Sequence, residues 1–122
     1  MDMEIPEKTQ NQIMQFQQLQ QQLQVIGAQR HQLELQEHEL TRTLEEIANI
    51  KEGAAIYRTI GSILVKAESK ESVEKELKEQ KEVLEIRLKT IKKQEGQLKE
   101  KYLSLQKEIS KALGDISGDE AS

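Results

Sequence analysis

Residues 54–67, near the middle of the chain, form the one stretch without a helical pattern. β-branched, aromatic and aliphatic residues fill two short runs, residues 56–60 and 63–65, a composition typical of strands. Gly61 and Ser62 stand between the runs, where a tight turn needs a residue that tolerates positive φ. The pattern of residues 54–67 predicts a β-hairpin; a loop joining two helices is the alternative.

An isolated two-stranded hairpin is marginal in water and leaves both edges unpaired. The chain offers no other strand, so we expect the hairpin to pair with copies or relatives of itself. One chain cannot cover both of its faces, and burial between subunits is expected above all for Ile56, Ile60, Ile63 and Val65. The full set of predicted oligomerisation residues is Ile56, Tyr57, Ile60, Gly61, Ile63, Leu64 and Val65.

The composition argues against a thick globular core. A third of the 122 residues are charged (33%), and the aromatic residues are one Phe and two Tyr. Such a chain cannot bury a large core alone, whereas abundant Glu, Lys, Gln and Leu with a single Pro favours long helices. The chain has no apolar run that could span a bilayer, no signal segment and no cysteine. We therefore expect a cytoplasmic protein that is not bound to a membrane.

A seven-residue repeat predicts one long helix over residues 6–52, with Pro6 in its first turn and Gly53 as a left-handed cap after its end. Residues 9–29 of this helix carry no charge and are rich in Gln. The first heptad position holds Phe16, Leu23, Arg30, Glu37 and Leu44, and the second holds Leu19, Ile26, Leu33, Leu40 and Ile47.

A second helix is predicted over residues 69–113, with Ser69 as its N-cap and Gly114 at its end. Residues 114–122 are then expected to be a flexible tail. One heptad position holds Leu77, Leu84, Ile91, Leu98, Leu105 and Ala112, and the other holds Lys81, Leu88, Glu95, Tyr102 and Ile109. The fold class predicted is mainly α, a single domain over residues 1–122 in which a long antiparallel two-helix coiled coil is joined by one β-hairpin.

Two helices of similar length around a tight hairpin are expected to fold back on each other. Residues whose numbers sum to about 124 should then lie side by side, at 1.5 Å of rise per residue. This register places Arg30 beside Glu95 and Glu37 beside Arg87. It also places Gly27 level with Gly96, which is either a soft point or a chance coincidence.

The sequence contains no catalytic constellation. His31 and His38 are seven residues apart, about 10 Å along a helix, and cannot share one metal ion within a chain. No Gly-rich phosphate loop occurs, and the net charge of −4 argues against nucleic acid as a partner. We expect no enzymatic activity, no cofactor, no metal site and no nucleic-acid partner.

The helix segment QFQQLQQQLQ, the central IYRTIGSILV and the Glu/Lys-rich return helix resemble the beta subunits of the archaeal prefoldin family. The resemblance covers residues 5–113, and Tyr57, Gly61 and Leu64 in a single hairpin are its most specific part. It implies a hexamer of two alpha and four beta chains, in which the hairpins form intersubunit β-barrels. The implied function is ATP-independent capture of unfolded polypeptides at the coiled-coil tips, which prevents their aggregation, and delivery to a group II chaperonin.

Apolar side chains at the free ends of the two helices support this interpretation, because a two-helix coil buries only one face of each helix. Exposed apolar patches on soluble proteins usually mark binding surfaces. The predicted client-binding residues are Ile13, Met14, Phe16, Leu19, Leu105, Ile109, Leu113 and Ile116. For Phe16, Leu19 and Leu105, an ordinary place in the seam between the helices is the competing interpretation.

Two other functions are compatible with the repeat. A structural coiled-coil adaptor would use the hairpin only to turn the chain and would not bind unfolded proteins. A helical arm that binds RNA is disfavoured by the acidic balance and by the shortage of aromatic residues.

Overall fold

The computed structural model describes the backbone of residues 4–121 and the side chains of residues 4–115. It contains α1 (Glu7–Ala48), β1 (Tyr57–Ile60), β2 (Ile63–Lys66) and α2 (Lys70–Ala121). The chain divides into two compact units: a terminal unit, Met1–Arg30 with Ile91–Ser122, and a hairpin unit, His31–Thr90. Both helices contribute residues to both units. The described residues include no helix long and apolar enough to cross a membrane.

The buried positions include the predicted heptad positions, and Val73 is buried outside them. Every residue of the four predicted series is buried or half-buried. Ile26 is the most deeply buried apolar residue of the terminal unit, and Ile47, Leu84 and Leu88 are equally well covered in the hairpin unit. Thr9, which continues the first series by one more heptad, is only 4% exposed although the sequence offered no apolar residue there. The seven-residue period therefore identified the packed face of each helix.

The predicted register holds at one of its two polar positions. Within the terminal unit, Arg30 Nε donates to Glu95 Oε1 over 2.7 Å. Among the ion pairs of the described residues, none joins Glu37 to Arg87. A Cβ on Gly27 would lie 3.4 Å from Glu95 Oε2, and one on Gly96 would meet nothing within 4 Å.

The start of α1 agrees with the prediction, but its end does not. The Pro6 carbonyl accepts a hydrogen bond from Gln10 N, which closes the first turn. The helix ends at Ala48 rather than at residue 52, and Asn49 and Ile50 donate to carbonyls three residues back, a tightening that is common at helix C-termini. Gly53 has the predicted positive φ of 85°, but it lies in a separate turn that the Ala54 N to Lys51 O bond closes. It is the third residue of a type II turn, not a helix cap.

The end of α2 was also predicted wrongly. Gly114 was expected to end the helix and to start a tail, whereas α2 continues to Ala121. Gly114 does not adopt the positive φ that a left-handed cap needs. A glycine inside a helix costs about 1 kcal/mol relative to Ala, which is too little to end a helix by itself. The start of α2 follows the prediction, since Ser72 N donates to Ser69 Oγ over 3.0 Å and Ser69 N to Ser72 Oγ over 3.3 Å.

Candidate functional site

The hairpin is antiparallel and has the predicted two-residue turn. The paired residues are Tyr57 with Lys66, Arg58 with Val65, Thr59 with Leu64, and Ile60 with Ile63. Gly61 has a φ of 61°, while Ser62 does not have positive φ. A glycine at the first central position, with φ > 0 there alone, defines a type II′ turn, whose twist matches that of the strands.

The pairing sorts the predicted oligomerisation residues onto two faces, because successive side chains on a strand point to opposite sides. One face, called here the isoleucine face, carries Ile56, Ile60, Ile63 and Val65 together with Arg58. The opposite face carries Tyr57 and Leu64. The four residues predicted to be buried between subunits therefore share one surface.

Both faces of the hairpin expose apolar side chains in the single chain. The exposed fraction is 60% for Tyr57 and Ile60, 63% for Ile63 and 69% for Leu64. Two adjacent strands with open edges and two apolar faces are unlike the surface of a monomeric protein. The structure therefore places all the strand side chains of the predicted set where a partner could cover them.

The predicted client-binding residues of the terminal unit fall into two groups, one half-buried and one exposed. Phe16 stacks on Tyr102, and Leu19 and Leu105 line one groove of about 450 Å³ with Gln15 and Ser104. Ile13 and Ile109 are half-buried as well. All of these five except Ile13 hold predicted heptad positions and belong to the packed face of the terminal unit, as the competing interpretation held for three of them.

Met14 and Leu113 are the exposed members of the predicted set, with exposed fractions of 60% and 39%. The Ile116 side chain lies outside the described residues. Three further exposed apolar residues of the terminal unit were missed: Ile5, Val25 and Leu103, of which Val25 is 59% and Leu103 52% exposed. Their exposure could have been predicted for Val25 and Leu103, because both are apolar residues at heptad positions outside the packed series.

Exposed apolar residues also occur on the helices of the hairpin unit. They are Leu35, Val83 and Ile86, again at heptad positions outside the packed series. Val83 lines a groove of about 390 Å³ with Leu40 and Leu84, rimmed by Glu79 and Arg87. This groove is an apolar surface on the helices that competes with the terminal unit as a binding site.

Polar contacts hold the helix ends in each unit. In the terminal unit, Gln12 Nε2 donates to Glu108 Oε2 over 3.0 Å. In the hairpin unit, Lys70 Nζ donates to the carbonyls of Ala48 and Ile50 over 3.2 and 2.9 Å. Lys70 thus donates hydrogen bonds to carbonyls at the end of α1, as cationic side chains often do at helix C-termini.

α1 and α2 are long helices whose packed faces follow a seven-residue repeat, and an exposed hairpin lies between them in the chain. These features define a coiled-coil protein that displays a β-hairpin. The family model described as "Prefoldin subunit" matches residues 10–116. The chain is 40% identical over 114 residues to the prefoldin subunit beta of Methanosarcina acetivorans, covering 93% of this chain and 97% of that relative. It is 42% identical over 115 residues to the prefoldin subunit beta of Archaeoglobus fulgidus, covering 94% and 98%.

A solved structure agrees with these relatives. The crystal structure of the prefoldin beta subunit from Thermococcus strain KS-1 matches with a TM-score of 0.86 at 36% identity, covering 92% of this chain and 97% of that one. The chain belongs to the prefoldin subunit family. Within that family its similarity is to the beta subunits of archaea, so the predicted family and fold class are both confirmed.

Proposed function

We propose that this chain is a subunit of an ATP-independent chaperone that captures unfolded polypeptides and prevents their aggregation. In this proposal the hairpin assembles the complex, and the terminal unit contacts the client. The partner is an alpha-type prefoldin subunit, in a hexamer of two alpha and four beta chains whose hairpins form β-barrels. A group II chaperonin receives the captured polypeptide. Membership of the prefoldin subunit family supports the chaperone class of this proposal.

One observation carries the client-binding role: exposed apolar side chains accompany an uncharged, Gln-rich stretch in the terminal unit. Met14 and Val25 lie within residues 9–29, which carry no charge, and each is about three-fifths exposed. Covering apolar surface contributes about 25 cal/mol per Å² to binding. An uncharged stretch also does not repel partners through like charge. The flexible Met side chain also adapts to differently shaped surfaces.

A single terminal unit offers little area, so capture requires several of them acting together. When several weak contacts are linked in one assembly, the first contact raises the effective concentration for the others. The overall affinity then exceeds that of any single contact. The assembly step is therefore part of the function. Support for it comes from Ile60 and Ile63 of the isoleucine face, which one chain leaves more than half exposed.

The first test measures aggregation of a chemically denatured protein on dilution, with and without the complex of this chain and an alpha-type subunit. We expect equal suppression with and without ATP. A coiled-coil adaptor would leave aggregation unchanged, and that outcome would reject the chaperone function.

The second test locates the client site. A chain shortened to residues 15–107 should still assemble, because the hairpin unit is untouched, but it should lose its protection of the client. Equal protection by the shortened complex would move the client site to residues that it keeps, either Val25 and Leu103 of the terminal unit or the groove at Val83 in the hairpin unit.

The third test concerns assembly. Ile63→Asp places a charge in the isoleucine face and should release smaller species while far-UV circular dichroism keeps its helical signal. Native mass spectrometry with and without the alpha-type subunit reads the stoichiometry. An unchanged oligomer in the Ile63→Asp variant would show that the hairpin is not the assembly site.

A further inference from the structure

Apolar packing within the chain gives little support to the far end of the hairpin. Tyr57, Ile60, Ile63 and Leu64 are all at least 60% exposed, so they contribute little buried area that could hold the strands against the helices. Packing fixes orientation only where side chains are covered on several sides. A polar contact between a strand and a helix is then the interaction best placed to fix the angle of the hairpin.

Arg58, in β1, supplies that interaction by donating from Nη2 to a carboxylate oxygen of Glu76, in α2. Among the described residues this is the one ion pair between a strand and a helix. The side chains of Arg58 and Glu76 are 41% and 39% exposed, so both are partly withdrawn from water. A guanidinium group binds a carboxylate in a fixed planar geometry, which makes such a pair directional as well as attractive.

The position of Arg58 ties the ion pair to the assembly surface. Arg58 lies on the isoleucine face and is directly opposite Val65 in the ladder. Val65 is 41% exposed, the least of the exposed apolar strand residues. The ion pair therefore begins on the isoleucine face, which the partner is proposed to cover. It sets the direction of that face relative to α2.

Lys70 stabilises the base of the same arrangement. Its ammonium group contacts the carbonyls of Ala48 and Ile50 and lies 3.9 Å from Glu74, so the first residue of α2 is tied to the end of α1. Glu76 stands six residues further along α2. The Glu76 carboxylate, which accepts the hydrogen bond from Arg58, thus lies on a helix whose first residue is tied to the end of α1.

We infer that Arg58 and Glu76 are positioning residues for assembly: their ion pair holds the hairpin at the angle at which its isoleucine face meets the hairpin of another subunit. This inference rests on the proposed function, in which the hairpin is the assembly surface. A hairpin that is oriented beforehand loses less freedom when it binds, and this preorganisation appears as affinity. The fold of the helices does not depend on this pair, because a half-exposed ion pair contributes little to stability.

The size of the effect follows from the same exposure. Half-exposed pairs are worth about 0.2–1 kcal/mol, which corresponds to a factor of about 1.4–5 in an equilibrium constant. Each hairpin that carries the change contributes this factor. A contact between two altered hairpins therefore weakens by about 2- to 25-fold.

Glu76→Gln tests the inference from the helix side of the pair, at a residue that is not itself part of the isoleucine face. The dissociation constant of the complex, with the alpha-type subunit present, is measured by sedimentation velocity over a concentration series. We expect weaker assembly with an unchanged helical signal, and a smaller dependence on salt than in the parent chain. Glu79→Gln, on the same helix and exposed, is the matched control and should assemble like the parent.

The exchanged pair, Arg58→Glu with Glu76→Arg, separates an orienting ion pair from a direct contact of either residue with the partner. The exchange should recover most of the affinity that each single change loses. Assembly of Glu76→Gln equal to the parent, or an exchanged pair no better than the single variants, would overturn the inference.

The Ile63→Asp variant distinguishes this failure from failure of the proposed function. Loss of assembly in Ile63→Asp with normal assembly in Glu76→Gln rejects only the positioning role. Normal assembly in both variants rejects the hairpin as the assembly surface, and the positioning role falls with it.

Discussion

Phe16 and Tyr102 stack in the terminal unit with ring centroids 4.5 Å apart and an angle of 20° between the ring planes. Phe16 is the single Phe of the chain, and Tyr102 is one of its two Tyr residues. Both residues occupy predicted heptad positions. The aromatic side chains are therefore used to join α1 to α2 within the terminal unit, and Phe16 is less available to a client than Met14.

The stacked pair should show an energetic coupling beyond its buried area. Aromatic pairs contribute about 0.5–1.5 kcal/mol of coupling in double-mutant cycles. We expect this value from the single and double variants Phe16→Leu and Tyr102→Leu, measured by urea unfolding followed by circular dichroism. A coupling near zero would mean that the rings contribute only area and not a specific contact.

The ion pair of Arg30 and Glu95 should matter more than an exposed pair. Its side chains are 32% and 24% exposed, and the bond is 2.7 Å long. We expect Glu95→Gln to lower the unfolding free energy by on the order of 1 kcal/mol, above the usual range for exposed pairs. Exchanging the charges with Arg30→Glu and Glu95→Arg should restore part of the loss.

Arg42 and Glu46 provide the control for this prediction. They form an i,i+4 pair at 3.5 Å, with exposed fractions of 80% and 70%. Glu46→Gln should change stability by less than about 0.5 kcal/mol. If Glu95→Gln and Glu46→Gln have the same effect, the polar position in the packed face has no special role.

Substitution by Ala should have opposite effects at two glycines. Gly61 has positive φ, which costs an Ala about 1–2 kcal/mol. Gly96 lies in α2, and a Cβ there would meet nothing within 4 Å, so Ala should stabilise the helix by up to about 1 kcal/mol. Thermal unfolding of Gly61→Ala and Gly96→Ala should show a lower and a higher midpoint, respectively.

The Gly96→Ala variant also tests the predicted soft point. If Gly96 is only a chance weakness, client protection should stay at the level of the parent while the midpoint rises. Weaker protection in a more stable variant would show that local flexibility at Gly96 serves the function.

The packed face and the hairpin could be predicted because they depend on local periodicity. A period of seven places Ile26 and Leu84 inside, and a glycine between two β-branched runs places the turn at Gly61. Arg30 and Glu95 could be paired from the antiparallel register alone. The end of α2 could not, because Gly114 adopts ordinary helical φ when nothing forces it to do otherwise.

Other contacts could not be predicted from the sequence. The pairs that join α1 to α2 in the terminal unit do not follow one constant sum. The numbers 30 and 95 sum to 125, whereas 16 and 102 sum to 118 for the stacked aromatic pair. The bond from Arg58 to Glu76 depends on the direction in which a strand side chain points, which no local pattern encodes.

Protection of an unfolding client by two matched double variants tests the central claim most directly. Met14→Gln with Leu103→Gln removes exposed apolar side chains from the terminal unit, and Val83→Gln with Ile86→Gln removes similarly exposed ones from the hairpin unit. Both complexes should keep the mass and helical signal of the parent.

We expect the terminal variant to need a roughly 30-fold higher concentration for the same suppression of aggregation, because each of its two side chains loses about 1 kcal/mol of covered apolar surface. The hairpin-unit variant should protect like the parent. The opposite result, with protection lost in Val83→Gln, Ile86→Gln and kept in Met14→Gln, Leu103→Gln, would contradict the account.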